Sequence, residues 1–93
     1  MIVNNTANSI VNQYQLDTCL NEARDVVVEV ERYLRGNAPD VAMKSVRQVR
    51  TGLYSIFAKA DEAGASAFSL SKEVEALTKR FGDIKAAYAV SMH

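Results

Sequence analysis

The sequence has few of the residues on which catalytic, metal-binding and disulfide chemistry depends. Its 93 residues include one cysteine (Cys19), one histidine (His93), one proline and no tryptophan. A single cysteine excludes an intramolecular disulfide and any multi-cysteine metal site. Glycine-rich phosphate loops and nucleophile-elbow motifs are also absent from the sequence. We therefore expect a protein that is not an enzyme and needs no metal or cofactor.

The sequence also lacks an excess of charge and a long apolar run. Eleven basic residues balance eleven acidic ones, which argues against binding to nucleic acid or a membrane surface through bulk charge. A transmembrane helix needs about 20 consecutive apolar residues, whereas the strongest run here is Val26–Val28. The hydrophobic content of 48% is typical of a folded domain. We expect one domain without membrane contact, located in the cytoplasm.

The composition of the N-terminal segment indicates a flexible segment rather than a cleaved secretory signal peptide. Residues 1–8 contain no basic residue and no long apolar core, so they do not form a secretory signal pattern. We expect residues 1–8 to be a flexible lead to a domain at 9–93. An Asn- and Ser-rich start is also typical of type III secretion substrates, which makes export without a cleaved signal an alternative.

Apolar residues recur alternately every four and three positions through most of the chain. The first segment carries Leu16, Leu20, Ala23, Val27, Val30 and Leu34. The second carries Ala42, Val46, Val49, Leu53, Ile56, Ala60, Ala63, Ala67, Leu70, Val74, Leu77, Phe81, Ile84 and Tyr88 without a break in phase. This spacing is that of amphipathic and coiled-coil helices. The pattern predicts an all-α protein.

Turn residues divide the pattern into three helices at about 9–35, 38–63 and 69–91. Gly36 is expected to take a left-handed cap, and Asn37 to be the N-cap of the second helix. Gly64 is expected to cap the second helix. These boundaries predict a three-helix up-down-up bundle. Gly52 lies inside the second helix, where we expect a neighbouring helix to approach closely.

The unbroken phase leaves a second architecture open. If residues 64–68 were helical, the chain would be a helical hairpin with one long C-terminal helix, and it would dimerise as a coiled coil or four-helix bundle. That arrangement predicts a self-association seam between chains. The seam consists of Leu53, Ile56, Ala60, Ala63, Ala67, Leu70 and Leu77.

Charge is distributed unevenly along the neutral chain. Residues 1–31 carry a net charge of −4, residues 32–59 a net charge of +5, and the remainder −1. The imbalance predicts ion pairs between an acidic first helix and a basic second helix. One side of the second helix also combines residue types that are enriched in interfaces. This α2 shoulder, our predicted partner-binding surface, consists of Met43, Lys44, Arg47, Arg50 and Tyr54.

These features favour a small helical module that binds a protein partner, itself, or both. Such a module includes a self-assembling subunit, with a dimer favoured, and an adaptor or chaperone of a helical partner, including one that serves secretion. The alternative is a DNA-binding regulator with a degenerate helix-turn-helix at 56–75. Its outline is Ala60, Gly64 and Leu70, and Ser66, Ser69, Ser71 and Lys72 would face DNA. Glu73 departs from that motif because an apolar residue is usual there.

Overall fold

A computed structural model describes the backbone of residues 2–89 and the side chains of residues 11–89. The described residues form three helices and no strand: α1 (Ile2–Gly36), α2 (Asp40–Ala60) and α3 (Ala67–Ala89). Each helix packs against the other two, and the molecule measures 61 × 19 × 15 Å. The helices therefore lie side by side along one axis, and their short connections make consecutive helices antiparallel. The predicted three-helix bundle is confirmed.

The helix boundaries differ from the predicted ones at most ends. α1 begins at Ile2 rather than near residue 9, and α2 covers Asp40–Ala60 rather than 38–63. α3 begins at Ala67, two residues before the predicted start. The predicted end at residue 91 lies outside the described residues, as does His93. The flexibility of residues 1–8 stays a prediction, although the backbone of residues 2–8 is helical.

The connection from α1 to α2 differs from the predicted caps. Within residues 2–89 the only positive φ belongs to Gly64, so the predicted left-handed cap at Gly36 is wrong. Instead, the N–H groups of Asn37 and Ala38 both donate to the Tyr33 carbonyl, at 2.9 and 2.8 Å. The predicted N-cap at Asn37 is also wrong. Pro39 occupies that position, and its carbonyl accepts from the Ala42 N–H at 2.9 Å.

The connection from α2 to α3 is a turn formed by residues 61–66. Gly64 has φ of +79°, a conformation that other L-residues adopt at a cost. The Ser66 hydroxyl accepts from the Ser69 N–H at 3.3 Å at the start of α3. Since this turn interrupts the helix, the structure does not have the long C-terminal helix of the alternative architecture. The predicted turn at Gly64 is confirmed, but the predicted cap of α2 by Gly64 is wrong, because α2 ends at Ala60 and Asp61 occupies the C-cap position.

The hydrophobic core is centred on α2. Five of its residues have no solvent exposure: Ala42, Val46, Val49, Leu53 and Ile56. α1 adds Leu16, Cys19, Ala23 and Val30, and α3 adds Ala67, Leu70, Val74 and Phe81, all at most 6% exposed. At the end of the bundle where α1 finishes, Tyr33 and Phe81 meet edge to face with ring centroids 5.7 Å apart. These buried residues follow the predicted period.

Gly52 marks the predicted close approach between helices. A β-carbon at this position would lie 2.9 Å from Leu77 Cδ2 and 3.1 Å from Leu77 Cδ1 on α3. Both distances are shorter than ordinary van der Waals contact. Glycine in a helix costs about 1 kcal/mol against alanine, and here the absence of a side chain makes room for Leu77.

Replacement of glycine by alanine will therefore have different consequences for stability in α2 and α3. Gly82→Ala meets no atom within 4 Å, and we expect it to stabilise the protein by about 0.5–1 kcal/mol. Gly52→Ala gains the same helix propensity but displaces Leu77, so we expect no net gain or a loss. Urea denaturation of the two variants and the wild type measures the difference. Equal stabilisation by both substitutions would contradict the close approach.

Candidate functional site

The predicted α2 shoulder lies at the junction of α1 and α2, and two of its residues are used to join these helices. Arg50 Nη1 lies 3.2 Å from Glu31 Oε1, and the Tyr54 hydroxyl lies 3.4 Å from the same oxygen. Glu31 and Arg50 are each about one-third exposed. Arg50 and Tyr54 of the shoulder therefore contact α1 of the same chain.

The remaining shoulder residues differ in their exposure. Lys44 and Arg47 are exposed, and the charged group of neither has an ion-pair or hydrogen-bond partner among the described side chains, while Met43 is half-buried. Lys44 and Arg47 are therefore available to an acidic partner. Binding of a partner through the α2 shoulder stays a prediction.

The expected charge pairing between α1 and α2 is present at one position among residues 11–89. Arg50–Glu31 is the ion pair that joins these helices, whereas Lys59 pairs with Glu73 of α3 at 2.7 Å. Glu22, Asp25 and Glu29 of α1 are exposed without an ion-pair partner in the described part of the chain. The acidic side of α1 is therefore open to solvent or to another molecule.

The residues of the predicted seam lie mostly inside the single chain. Leu53 and Ile56 have no solvent exposure, and Ala67 and Leu70 are 2% and 4% exposed. Ala60 and Leu77 are half-buried, and Ala63 is exposed in the turn. A second copy cannot contact the buried members while this bundle stays closed. Self-association through these residues therefore stays a prediction.

The geometry gives no support to the helix-turn-helix alternative. DNA-binding helix-turn-helix pairs cross at about 90–120°, whereas α2 and α3 pack side by side in a molecule 61 Å long and 19 Å wide. Leu70 is buried, and Glu73 is paired with Lys59. Lys72 lies 3.7 Å from Glu75, so its charge is partly balanced. The segment presents no basic surface.

A groove between α1 and α3 is the feature that sequence reasoning missed. Tyr14 of α1 and Phe68 of α3 are each 73% exposed and stand on its two rims. The first part of this α1–α3 groove has a volume of about 300 Å³ and is lined by Tyr14, Gln15, Thr18, Cys19, Glu22, Ala67, Phe68 and Ser71. Exposed aromatic residues around a concave surface are typical of protein interfaces.

The groove continues along the bundle and becomes acidic. Its second part, of about 520 Å³, shares Glu22 with the first. Val26 and Val74 form its apolar wall. Three carboxylates and one ammonium group line this part, from Glu22, Asp25, Glu75 and Lys79. The groove therefore combines an apolar surface with a net negative charge.

Cys19 lies beneath the first part of the groove and is 2% exposed. Burial raises the pKa of the Cys19 thiol, and a hydrogen bond with Ser71 opposes this effect. The nearby carboxylates of Glu22 and Glu73 raise the pKa further. The uncharged thiol is therefore the form at neutral pH. Cys19 therefore packs as a small buried apolar residue.

The described residues contain no group of three or more His, Cys, Asp or Glu side chains placed to hold a metal ion. No helix within the described range is both long and apolar enough to cross a bilayer. The sequence matches no protein-family model, and no curated protein or solved structure is significantly similar to it. The surfaces of this bundle are therefore the features that bear on its function.

The Cys19 thiol will report whether α1 and α3 stay packed together. We expect a thiol reagent to modify Cys19 slowly in the native protein at pH 7, because the thiol is buried and protonated, and rapidly in urea. The rate will rise with pH because the thiolate is the reactive form. The change in absorbance on reaction with an aromatic disulfide reagent measures the rate of Cys19 modification. A native rate equal to the rate in urea would contradict the packing of Cys19 under α3.

Proposed function

We propose that this protein is a non-enzymatic interaction module that binds a helical partner protein in the α1–α3 groove. The observation that carries the proposal is the pair of exposed aromatic rings, Tyr14 and Phe68, on opposite rims of one groove. Large exposed aromatic side chains in contact with an apolar concave surface provide the anchors of many interfaces.

The charge of the groove defines the partner. Glu22 and Asp25 have no ion-pair partner among the described side chains, and Glu75, whose charge is partly balanced by Lys72 at 3.7 Å, contributes a third carboxylate beside the apolar wall. An amphipathic helix with apolar residues on one face and basic residues at its edges fits this surface. Opposite charges on the two partners favour the encounter and select the orientation of the helix.

The proposal is consistent with an adaptor or chaperone that binds a segment of another protein. Its α2 shoulder supplies Lys44 and Arg47 on a different side of the bundle, for an acidic partner. Cytoplasmic location, uncleaved export and a role in secretion are expectations from composition only.

A synthetic peptide tests the groove directly. The probe is a fluorescent amphipathic helix of about 20 residues, with leucines at helical spacing and lysines on its polar edges. We expect it to bind at least about tenfold more tightly than a matched peptide with glutamates in place of the lysines, because the groove is acidic. Fluorescence anisotropy in low salt measures both dissociation constants.

Variants identify the surface that binds the peptide. Tyr14→Ser with Phe68→Ser is expected to weaken binding about thirtyfold, since exposed aromatic anchors dominate such interfaces. The matched control is Val41→Ser, because Val41 is 71% exposed on α2. Circular dichroism will confirm that both proteins are folded. Equal binding by the double variant and the control would exclude the groove as the binding site.

A further inference from the structure

The turn between α2 and α3 interrupts a helical pattern that the sequence does not interrupt. Ala60, Ala63 and Ala67 follow the same four-and-three spacing as the residues on either side. In the structure Ala63 is exposed in the turn, so this member of the apolar pattern does not contribute to the core. If residues 61–66 became helical, the apolar residues of α2 and α3 would lie on one continuous stripe.

The turn remains close to helical along most of its length. The N–H groups of Asp61 and Glu62 donate to the carbonyls of Ala58 and Lys59, each three residues earlier, at 3.3 and 3.1 Å. The Ala65 N–H donates to the Glu62 carbonyl at 3.2 Å, which is also a three-residue spacing. Gly64, with its positive φ, and residues 65 and 66, which are in neither helix nor turn, are the positions that depart from a helix. Few backbone changes therefore separate the turn from a continuous helix.

One side chain from α1 holds the turn in its closed form. Asn12 Nδ2 donates to the Ala65 carbonyl at 3.1 Å, and Asn12 Oδ1 accepts from the Ala67 N–H at 3.2 Å. In a continuous helix the Ala65 carbonyl would accept from the N–H of residue 69, and the Ala67 N–H would donate to the carbonyl of residue 63. Both backbone groups therefore have a partner in either form, and Asn12 favours the closed one.

We propose that two copies of this chain exchange α3, with residues 61–66 opening so that α2 and α3 form one helix. In the exchanged dimer, α3 of each copy packs on α1 and α2 of the other, so that the buried core contacts of the closed chain are remade between chains. Exchange of an identical element is an accessible route to dimers, and hinge-loop changes promote it. Each α1–α3 groove then takes Tyr14 from one copy and Phe68 from the other.

The first test changes the equilibrium between the closed turn and the continuous helix at residues 61–66. Gly64→Ala disfavours the positive φ of the closed turn in both copies, so we expect the dimer dissociation constant to fall at least about tenfold. The protein is heated near its unfolding midpoint at high concentration and cooled. Light scattering coupled to size exclusion then separates the 10.2 kDa monomer from a species of twice that mass.

Two further variants separate the hinge from general effects on helix stability. Gly82→Ala makes the same substitution inside α3 without relief of a positive φ, and we expect the wild-type dimer fraction. Asn12→Ala removes the side chain that holds the turn, and we expect more dimer, which tests the proposal even if Gly64→Ala folds poorly. Wild-type dimer fractions in both Asn12→Ala and Gly64→Ala would overturn the proposal.

The helical phase provides an independent test. In the Gly64→Ala protein, one further alanine is inserted directly before Ala65. In a continuous helix, this insertion rotates α3 by about 100° relative to α2. The exposed turn of the monomer accommodates an extra residue. We therefore expect the insertion to restore the monomer. A dimer fraction unchanged by the insertion would show that dimerisation does not require a continuous helix.

Proteolysis distinguishes exchange from side-by-side association of closed bundles. Glu62 is exposed in the turn of the closed chain, so a glutamate-specific protease will cut the monomer there. In the exchanged dimer residue 62 is within a helix, and we expect the cleavage rate at this position to fall at least about tenfold. Cleavage of the isolated dimer at Glu62 as fast as that of the monomer would overturn the proposal.

Discussion

The complete burial of one face of α2 is the constraint on which the rest of the bundle depends. α2 is the shortest helix, and five residues along it have no solvent exposure. Helices in proteins gain most of their stability from tertiary packing of an apolar face rather than from helix propensity, so α2 requires both α1 and α3 to cover its apolar face. The closeness of α3 at Gly52 and the ion pair from Arg50 to Glu31 both follow from this arrangement.

Because α1 and α3 both cover α2, they also meet each other, and their junction forms the groove. Cys19, Val26 and Val74 join the core at this junction, while Tyr14 and Phe68 remain outside it. The same packing that buries the thiol leaves the two aromatic rings exposed on the rims. The candidate binding surface is therefore a consequence of the packing of both α1 and α3 against α2.

The connections between the helices show where local sequence is a good predictor and where it is not. Gly64 takes the expected positive φ because the chain reverses direction there. Gly36 was expected to do the same, but a pair of hydrogen bonds to the Tyr33 carbonyl ends α1 without a left-handed residue. Asn37, a good N-cap by residue type, makes no cap because Pro39 occupies the N-cap position of α2. Turn residues predicted the position of each connection, but they did not predict the backbone hydrogen bonds between α1 and α2.

The spacing of apolar residues established that this protein is helical and which face of each helix is apolar, because a four-and-three spacing is that of an amphipathic helix. The sequence also indicated the close approach at Gly52. It did not decide between a turn and a continuous helix at residues 61–66, since both keep the same phase. Only the tertiary structure decided that question, through the Asn12 contacts from α1. It also brought Tyr14 and Phe68 together, because residues distant in the chain become neighbours only when α1 and α3 pack against each other.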